Sequence, residues 1–384
     1  MHQRKVLQIL LHFRHQNLRY FCSLPATMKV WQTYKYGGPE ELVFCDTAHV
    51  PFISKPNDLL VQIHAASVNP IDVRMLGGYG SVAIGTLKRL CDFPQDPAEF
   101  PLTFGRDFSG VVIDTGRSVK NFKPGDEVWG ALGAQRQGTH AEFVLAADSS
   151  VSHKPKSISH IEAASIPYVA ATVWSALCVV GELRRDTARG MRSLVCAGSG
   201  GIGTFAIQLL RAWGAHVTTT CSTEAVHLVT QLGADEVIDY STQNVMEELK
   251  MLKGFDIILD SIGQENADFY LDLLKSWSNS KYVTIVPPFL MNTDKYGVIG
   301  GTLLSLVQAS LDTAKGLKDG RSLRWALFAP SGCVLKTISQ MVDNGEITPV
   351  VEKVFQFQDT PDAYRKLQEG HARGKTVISV KNTA

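Results

Sequence analysis

Gly198-Ser199-Gly200-Gly201-Ile202-Gly203 is the stretch of this chain whose residue types and spacing point most directly to a chemistry. Glycines at its first, third and sixth positions suit a tight turn, a phosphate brought close to the main chain, and a helix packed hard on a strand. On that reading Gly198 makes the turn, Gly200 admits the phosphate and Gly203 allows the packing. Ser199, Gly201 and Ile202 add main-chain N–H groups. The start of a helix draws anions, because its first N–H groups have no intrahelical partner and its dipole is positive there.

A glycine pattern means little without its flanks, and an ordinary glycine turn is the competing reading. Leu194–Ala197 is a short apolar run suited to a buried parallel strand. Phe205, Ile207, Leu209, Leu210 and Trp213 mark an amphipathic helix that Gly214 closes, and His216–Cys221 is rich in β-branched residues, as a second strand would be. Strand, glycine turn, helix and strand predict a site for a dinucleotide pyrophosphate. An NAD site usually has Asp or Glu at the end of the second strand. Here Cys221-Ser222-Thr223 stands there, and Glu224 comes only after it. Hydroxyls without a carboxylate favour a 2′-phosphate at Ser222, hence NADPH; the alternative is that Ser222 simply caps a helix, and the two roles are compatible.

A chain of 384 residues has room for about two domains. A net charge of +1 argues against a nucleic-acid surface, and no apolar run approaches the length of a transmembrane helix. The cysteines are scattered with no CxxC pair, which predicts reduced thiols and no structural zinc. No acid precedes Glu40, while Arg4, Lys5, Arg14 and Arg19 accompany an apolar face of Val6, Leu7, Leu10, Leu11 and Leu18. Residues 1–27 therefore read as a mitochondrial presequence, against the alternative of a disordered tail.

From Met28 the pattern is β-rich. The stretches Ala65–Asp72, Phe100–Val112 and Phe122–Trp129, the glycine turn, and Gly374-Lys375-Thr376-Val377-Ile378 resemble the medium-chain dehydrogenase/reductase superfamily. Within it they resemble the zinc-free quinone oxidoreductase branch. VNPIDVR, KPGDEVW, PYVA, GTFAIQ and GHARGKTVI are similar to a mitochondrial group of that branch. The resemblance implies an α/β fold: a GroES-like β-barrel catalytic domain, 28–165 completed by 346–384, with an inserted Rossmann doubly wound parallel sheet, 166–345. It implies an active cleft between the two, NADPH, a quinone substrate, the mitochondrial matrix and a link to ubiquinone biosynthesis. Reticulon or inner-membrane protein partners and a homodimer belong to the same expectation.

Site residues follow from the same likeness. Asn69 matches a position beside the nicotinamide, Thr172 one near that end, and Tyr240 one beside the 2′-phosphate. His371, Ala372 and Arg373 match a closing cofactor contact, with a solvated basic turn as the alternative. Ser261 and Ile285 follow two parallel strands, the cofactor side of such sheets. Asp72, Tyr79 and Arg106 are polar groups for the same cleft, unless Asp72 and Arg106 form a structural ion pair.

No metal is expected. Asn69-Pro70 stands where zinc relatives have a cysteine loop, and Arg106-Asp107 replaces their His-Glu. Without a Lewis acid, an acceptor that takes hydride readily suits the site better than an alcohol suits it. Two rivals stay open: an enoyl-thioester or enone reductase with Tyr79 as acid, and an NADPH-binding interaction protein. Three further expectations concern elements: a loop at Gly80–Glu99, a helix at Leu303–Lys318, and a strand at Leu323–Phe328 offering Trp325 and Phe328 to the acceptor.

Overall fold

The computed structural model describes residues 24–92, 99–263 and 266–381; the expected presequence falls almost wholly outside them. The barrel is organised on the strand Asp58–Val68, buried along nearly its whole length. It pairs antiparallel with Asp107–Thr115 and with Phe143–Ala147. The sequence suggests a strand only as far as His64. It continues to Val68 because Lys375–Ser379, from the other end of the chain, pairs antiparallel with Ala65–Val68. Val351–Gln356 lies parallel beside that last strand. Both ends of the chain thus build one sheet, around a core that includes Leu59, Val61, Ile63, Phe104, Phe108 and Val128.

His140 lies within this core, its Nε2 3.2 Å from the Ser67 carbonyl and its Nδ1 3.1 Å from the Tyr364 hydroxyl. Those partners suit a neutral ring, with Nε2–H donating and Nδ1 accepting. Burial lowers its pKa from 6.5 to about 4. The unfolded ring binds a proton that the folded ring refuses, so this contribution is complete above pH 6.5 and is lost as pH falls toward about 4. It amounts to roughly 3 kcal/mol. Thermal melts between pH 7 and pH 4.5 are expected to fall less steeply for His140→Gln than for the parent; equal slopes would remove His140 from the account.

Two helices follow the central strand. α1, Pro70–Leu76, starts at Asn69 with Pro at its first position. α2, Ser81–Asp92, takes up the first part of the expected Gly80–Glu99 loop, whose residues 93–98 lie outside those described. Its start is held from far away: the Gly80 and Val82 N–H groups donate to the Asp294 carboxylate, at 2.6 and 3.2 Å, across more than 200 residues of sequence. No local signal encodes that cap.

The second half is a six-stranded parallel sheet. Its strands are β1 Arg192–Val195, β2 His216–Cys221, β3 Glu236–Asp239, β4 Ile257–Asp260, β5 Ser280–Thr284 and β6 Arg321–Trp325, in spatial order 3-2-1-4-5-6. This is the doubly wound order, with its switch point beside β1. α3, Pro167–Trp174, leads in; α4, Gly201–Ala212, follows β1; α5, Phe289–Lys315, joins β5 to β6. α5 begins well before the expected Leu303 and bends at Gly297, whose φ of 73° interrupts the helix. β6 ends at Trp325, not Phe328.

One expectation needs qualifying. The helical run His160–Val180 is long and apolar enough to cross a membrane, with mean hydropathy 1.7. Two-thirds of it is buried within this protein, and Ala170, Val173, Ala176 and Leu177 belong to the main core. It behaves as a core helix.

Candidate functional site

β1 delivers the chain to the glycine turn. There the Gly198 N–H donates to the Thr220 carbonyl at 2.8 Å, and the Ala197 N–H to Thr220 Oγ1 at 3.1 Å, tying the turn to β2. The left-handed residue of the turn is Ala197, with φ +59°, and not Gly198. Gly198 is needed for space instead: a Cβ there would lie 2.1 Å from Thr219 Oγ1. At Gly203 a Cβ would lie 2.3 Å from the Ala197 carbonyl oxygen, the close helix–strand packing expected. At Gly200 it would meet only that same oxygen, at 3.9 Å. Gly200 thus faces open space at the start of α4, a cradle that a side chain would fill. The turn fits a pyrophosphate on this observation.

Several of the other expected cofactor residues lie near this turn. The return segment docks on it through the Gly374 N–H, which donates to the Ser199 carbonyl at 2.8 Å. The Tyr240 hydroxyl, exposed after β3, lies 3.2 Å from His371 Nδ1. Ser222 stands at the N-cap position of the helical turn that follows β2, without a side-chain capping bond. Arg373 pairs with Glu224 at 3.1 Å in an exposed position. Ser261, its Oγ donating to the Cys196 carbonyl at 3.0 Å, and Ile285 follow the carboxyl ends of β4 and β5. Thr172 is buried on α3 and donates to the Tyr168 carbonyl at 2.7 Å, a helix-internal bond.

Beneath the turn lies a polar cluster that the spacing of residues does not reveal. Lys375 Nζ donates to Asn69 Oδ1 at 2.6 Å, and Asn69 Nδ2 donates to Asp107 Oδ2 at 2.8 Å. Ser67 Oγ donates to the same carboxylate at 2.5 Å, and the Tyr168 N–H donates to Asp107 Oδ1. All four side chains are buried. Because an ammonium only donates, Lys375 orients the Asn69 amide. Burial raises the Asp107 carboxyl and lowers the Lys375 ammonium, and each charge opposes the shift of the other. Lys375 also walls the turn: a Cβ on Gly201 would lie 2.6 Å from its Cδ.

Asp72 is placed differently from the expectation. It is fully buried, accepting from the Asn69 N–H at 2.8 Å and the Gly105 N–H at 3.0 Å, with Arg106 Nε 3.6 Å away. Arg106 donates onward to the carbonyls of Gly133 and Arg136, at 3.0 and 3.1 Å. The structural ion pair is what forms. Asp72 braces the start of α1, and so Asn69.

Known proteins match this whole arrangement. Residues 232–378 match the zinc-binding dehydrogenase family, and residues 55–156 the alcohol dehydrogenase GroES-like domain. The Danio rerio protein named NAD(P)H oxidoreductase RTN4IP1, mitochondrial, is 48% identical over 98% of this chain and 97% of its own. This chain belongs to the medium-chain dehydrogenase/reductase superfamily. The quinone oxidoreductase of Coxiella burnetii shares the fold of this superfamily member, with TM-score 0.74 and 27% identity over 92% of this chain and all of its own. Trans-enoyl reductase pgmF of Aspergillus terreus is 30% identical over 94% of this chain and 98% of its own. The cofactor of this medium-chain dehydrogenase/reductase is a nicotinamide dinucleotide.

Tyr79 follows α1, its N–H donating to the Arg74 carbonyl at 3.0 Å. It is half-buried, with the Arg74 guanidinium 5.8 Å from its ring centroid. It lines a cavity of about 400 Å³ together with Tyr36, Glu99, Arg106 and the inner side of α2. No residue of the glycine turn lines that cavity. Tyr168, which the sequence marks only as a helix start, stacks on Phe328 with ring centroids 4.3 Å apart. Trp325 is partly buried against the sheet core, its Nε1 donating to Asp312 at 3.1 Å.

Proposed function

We propose that this superfamily member is an NADPH-dependent reductase that passes hydride to a quinone without a metal. The open cradle at Gly200 above a rigidly held Asn69 carries the reading. When bound there, the reduced nicotinamide supplies the hydride. The chain's own part is positional: the turn and α4 hold the pyrophosphate, Lys375 and Asp107 fix the Asn69 amide, and the Tyr168–Phe328 stack offers a flat apolar wall. At the position of the zinc relatives' histidine, a fully buried Arg106 presents only donors, which suits no cation.

Ser222, Tyr240, His371 and Arg373 support a preference for NADPH over NADH. Arg373→Ala is expected to cut that preference about tenfold, the size of one hydrogen bond to a charged group. Comparing kcat/KM for the two cofactors checks it, and an unchanged ratio would assign Arg373 to Glu224 alone. The resemblance extends the proposal to quinones of ubiquinone biosynthesis in the mitochondrial matrix.

Tyr79 favours a second reading, an enone or enoyl-thioester reductase. Burial raises its hydroxyl pKa, so it stays protonated and able to donate into the cavity. The decisive assay follows NADPH oxidation with short-chain quinones and with enoyl thioesters, for the parent and for Tyr79→Phe. Quinone turnover that survives Tyr79→Phe supports the main reading. Turnover confined to enoyl thioesters and lost in Tyr79→Phe replaces it.

A further inference from the structure

Helices on a protein surface normally turn their apolar stripe inward. α5 does the reverse after its bend. On its protein side, Ser305 accepts from Asn292 Nδ2 at 3.0 Å, Gln308 accepts from the same group at 2.7 Å, and Asp312 accepts from Trp325. Gly301 sits so close to Thr293 that a Cβ would lie 2.5 Å from its main chain. On the opposite side Ile299 is 79% exposed, Leu303 60%, Leu306 60%, Val307 57% and Leu311 61%. Their spacing puts them on one face. Residues 296–311 carry no charge; Asp294 and Lys295 precede them, and Asp312 and Lys315, paired with each other at 3.0 Å, follow.

α2 packs alongside α5 and adds exposed Leu87 and Leu90, with Lys88 and Arg89 between them. Val82, Lys88 and Arg89 of α2 also line the cavity that holds Tyr79. The apolar face and the cavity therefore share one helix.

We propose that α5 and α2 dock this protein on the surface of a lipid bilayer with anionic headgroups. The aliphatic residues enter the acyl boundary, and the exposed Lys295 and Arg89 meet the headgroups. The uncharged stretch is about 24 Å long at the helical rise, too short to span a hydrocarbon core of about 30 Å. It lies on the membrane. A stable interface between two copies takes about 20–30 residues a side. The exposed aliphatics on offer are five on this side of α5, with Val82, Leu87 and Leu90 on the neighbouring α2, which is few for that purpose. Docking brings the α2 wall of the cavity to the source of a lipid-tailed acceptor; that use, unlike the docking, rests on the quinone reading above.

The test is flotation of the full chain with vesicles of phosphatidylcholine and phosphatidylglycerol. The triple variant Leu303→Ser, Leu306→Ser, Val307→Ser is expected to lose at least about tenfold of the vesicle-bound fraction. Its turnover with a short-chain quinone should equal that of the parent. A photoreactive lipid is expected to label peptides from 296–311 or α2. Equal flotation of parent and variant, or label confined to residues 1–23, overturns the proposal. So does a parent that self-associates without binding vesicles and becomes monomeric in the variant, which would make the face a contact between copies. Variant-sensitive flotation without quinone turnover upholds the docking and removes the acceptor reading alone.

Discussion

Gly200→Val is expected to fold as the parent does and to bind NADPH at least about 100-fold more weakly, a loss near 2.7 kcal/mol. Gly200 has φ −72° and ψ 172°, extended backbone that valine adopts without strain. A Cβ there touches nothing nearer than 3.9 Å, so the side chain projects into the space offered to the pyrophosphate. Gly203→Val makes the contrast. Its Cβ would lie 2.5 Å from the Gly198 Cα, and main chain cannot step aside as a side-chain end can. That variant is expected to lose about 3 kcal/mol of stability through overpacking. Melting curves with and without NADPH, and a fluorescence titration, separate the two. Near-parent binding by Gly200→Val would sink the assignment of this turn to the pyrophosphate.

Arg106→Met is expected to cost about 3–5 kcal/mol, because it strands the Asp72 carboxylate in the core. Burial raises the Asp72 carboxyl, and the Arg106 charge is the largest of the effects that oppose it. Two main-chain N–H groups still bond the carboxylate, so Asp72→Asn in the same chain should recover part of the loss by removing the unpaired charge. Urea unfolding of both singles and the double completes the cycle. If Arg106→Met unfolds within about 0.5 kcal/mol of the parent, the range of an ordinary surface change, the pair is not the brace described.

The glycine turn was legible because its logic is local. Residues 198–203 and the apolar rhythm on either side specify strand, turn and helix with neighbours only a few positions away. The same locality misleads at Gly198, where the left-handed backbone falls on Ala197 and the glycine answers crowding from Thr219 across the sheet. α2 was illegible because its start is capped by Asp294 on another helix. Asp72 reads in the chain as either a cleft residue or a partner of Arg106, and only the enclosure by Gly105 and Arg106 decides for the pair.

By itself, then, the sequence determined the glycine turn between strand and helix, the parallel strands that follow it, the absence of an acid at Ser222 and the family to which the motifs belong. Each depends on residue type and short spacing. The tertiary structure alone decided that Lys375 reaches Asn69 across 306 positions, that Asp72 and Arg106 close on each other, and that α5 shows its apolar side to solvent. Those outcomes depend on burial and on partners distant in sequence. A lysine, an aspartate and a leucine carry no mark of either until the chain has folded.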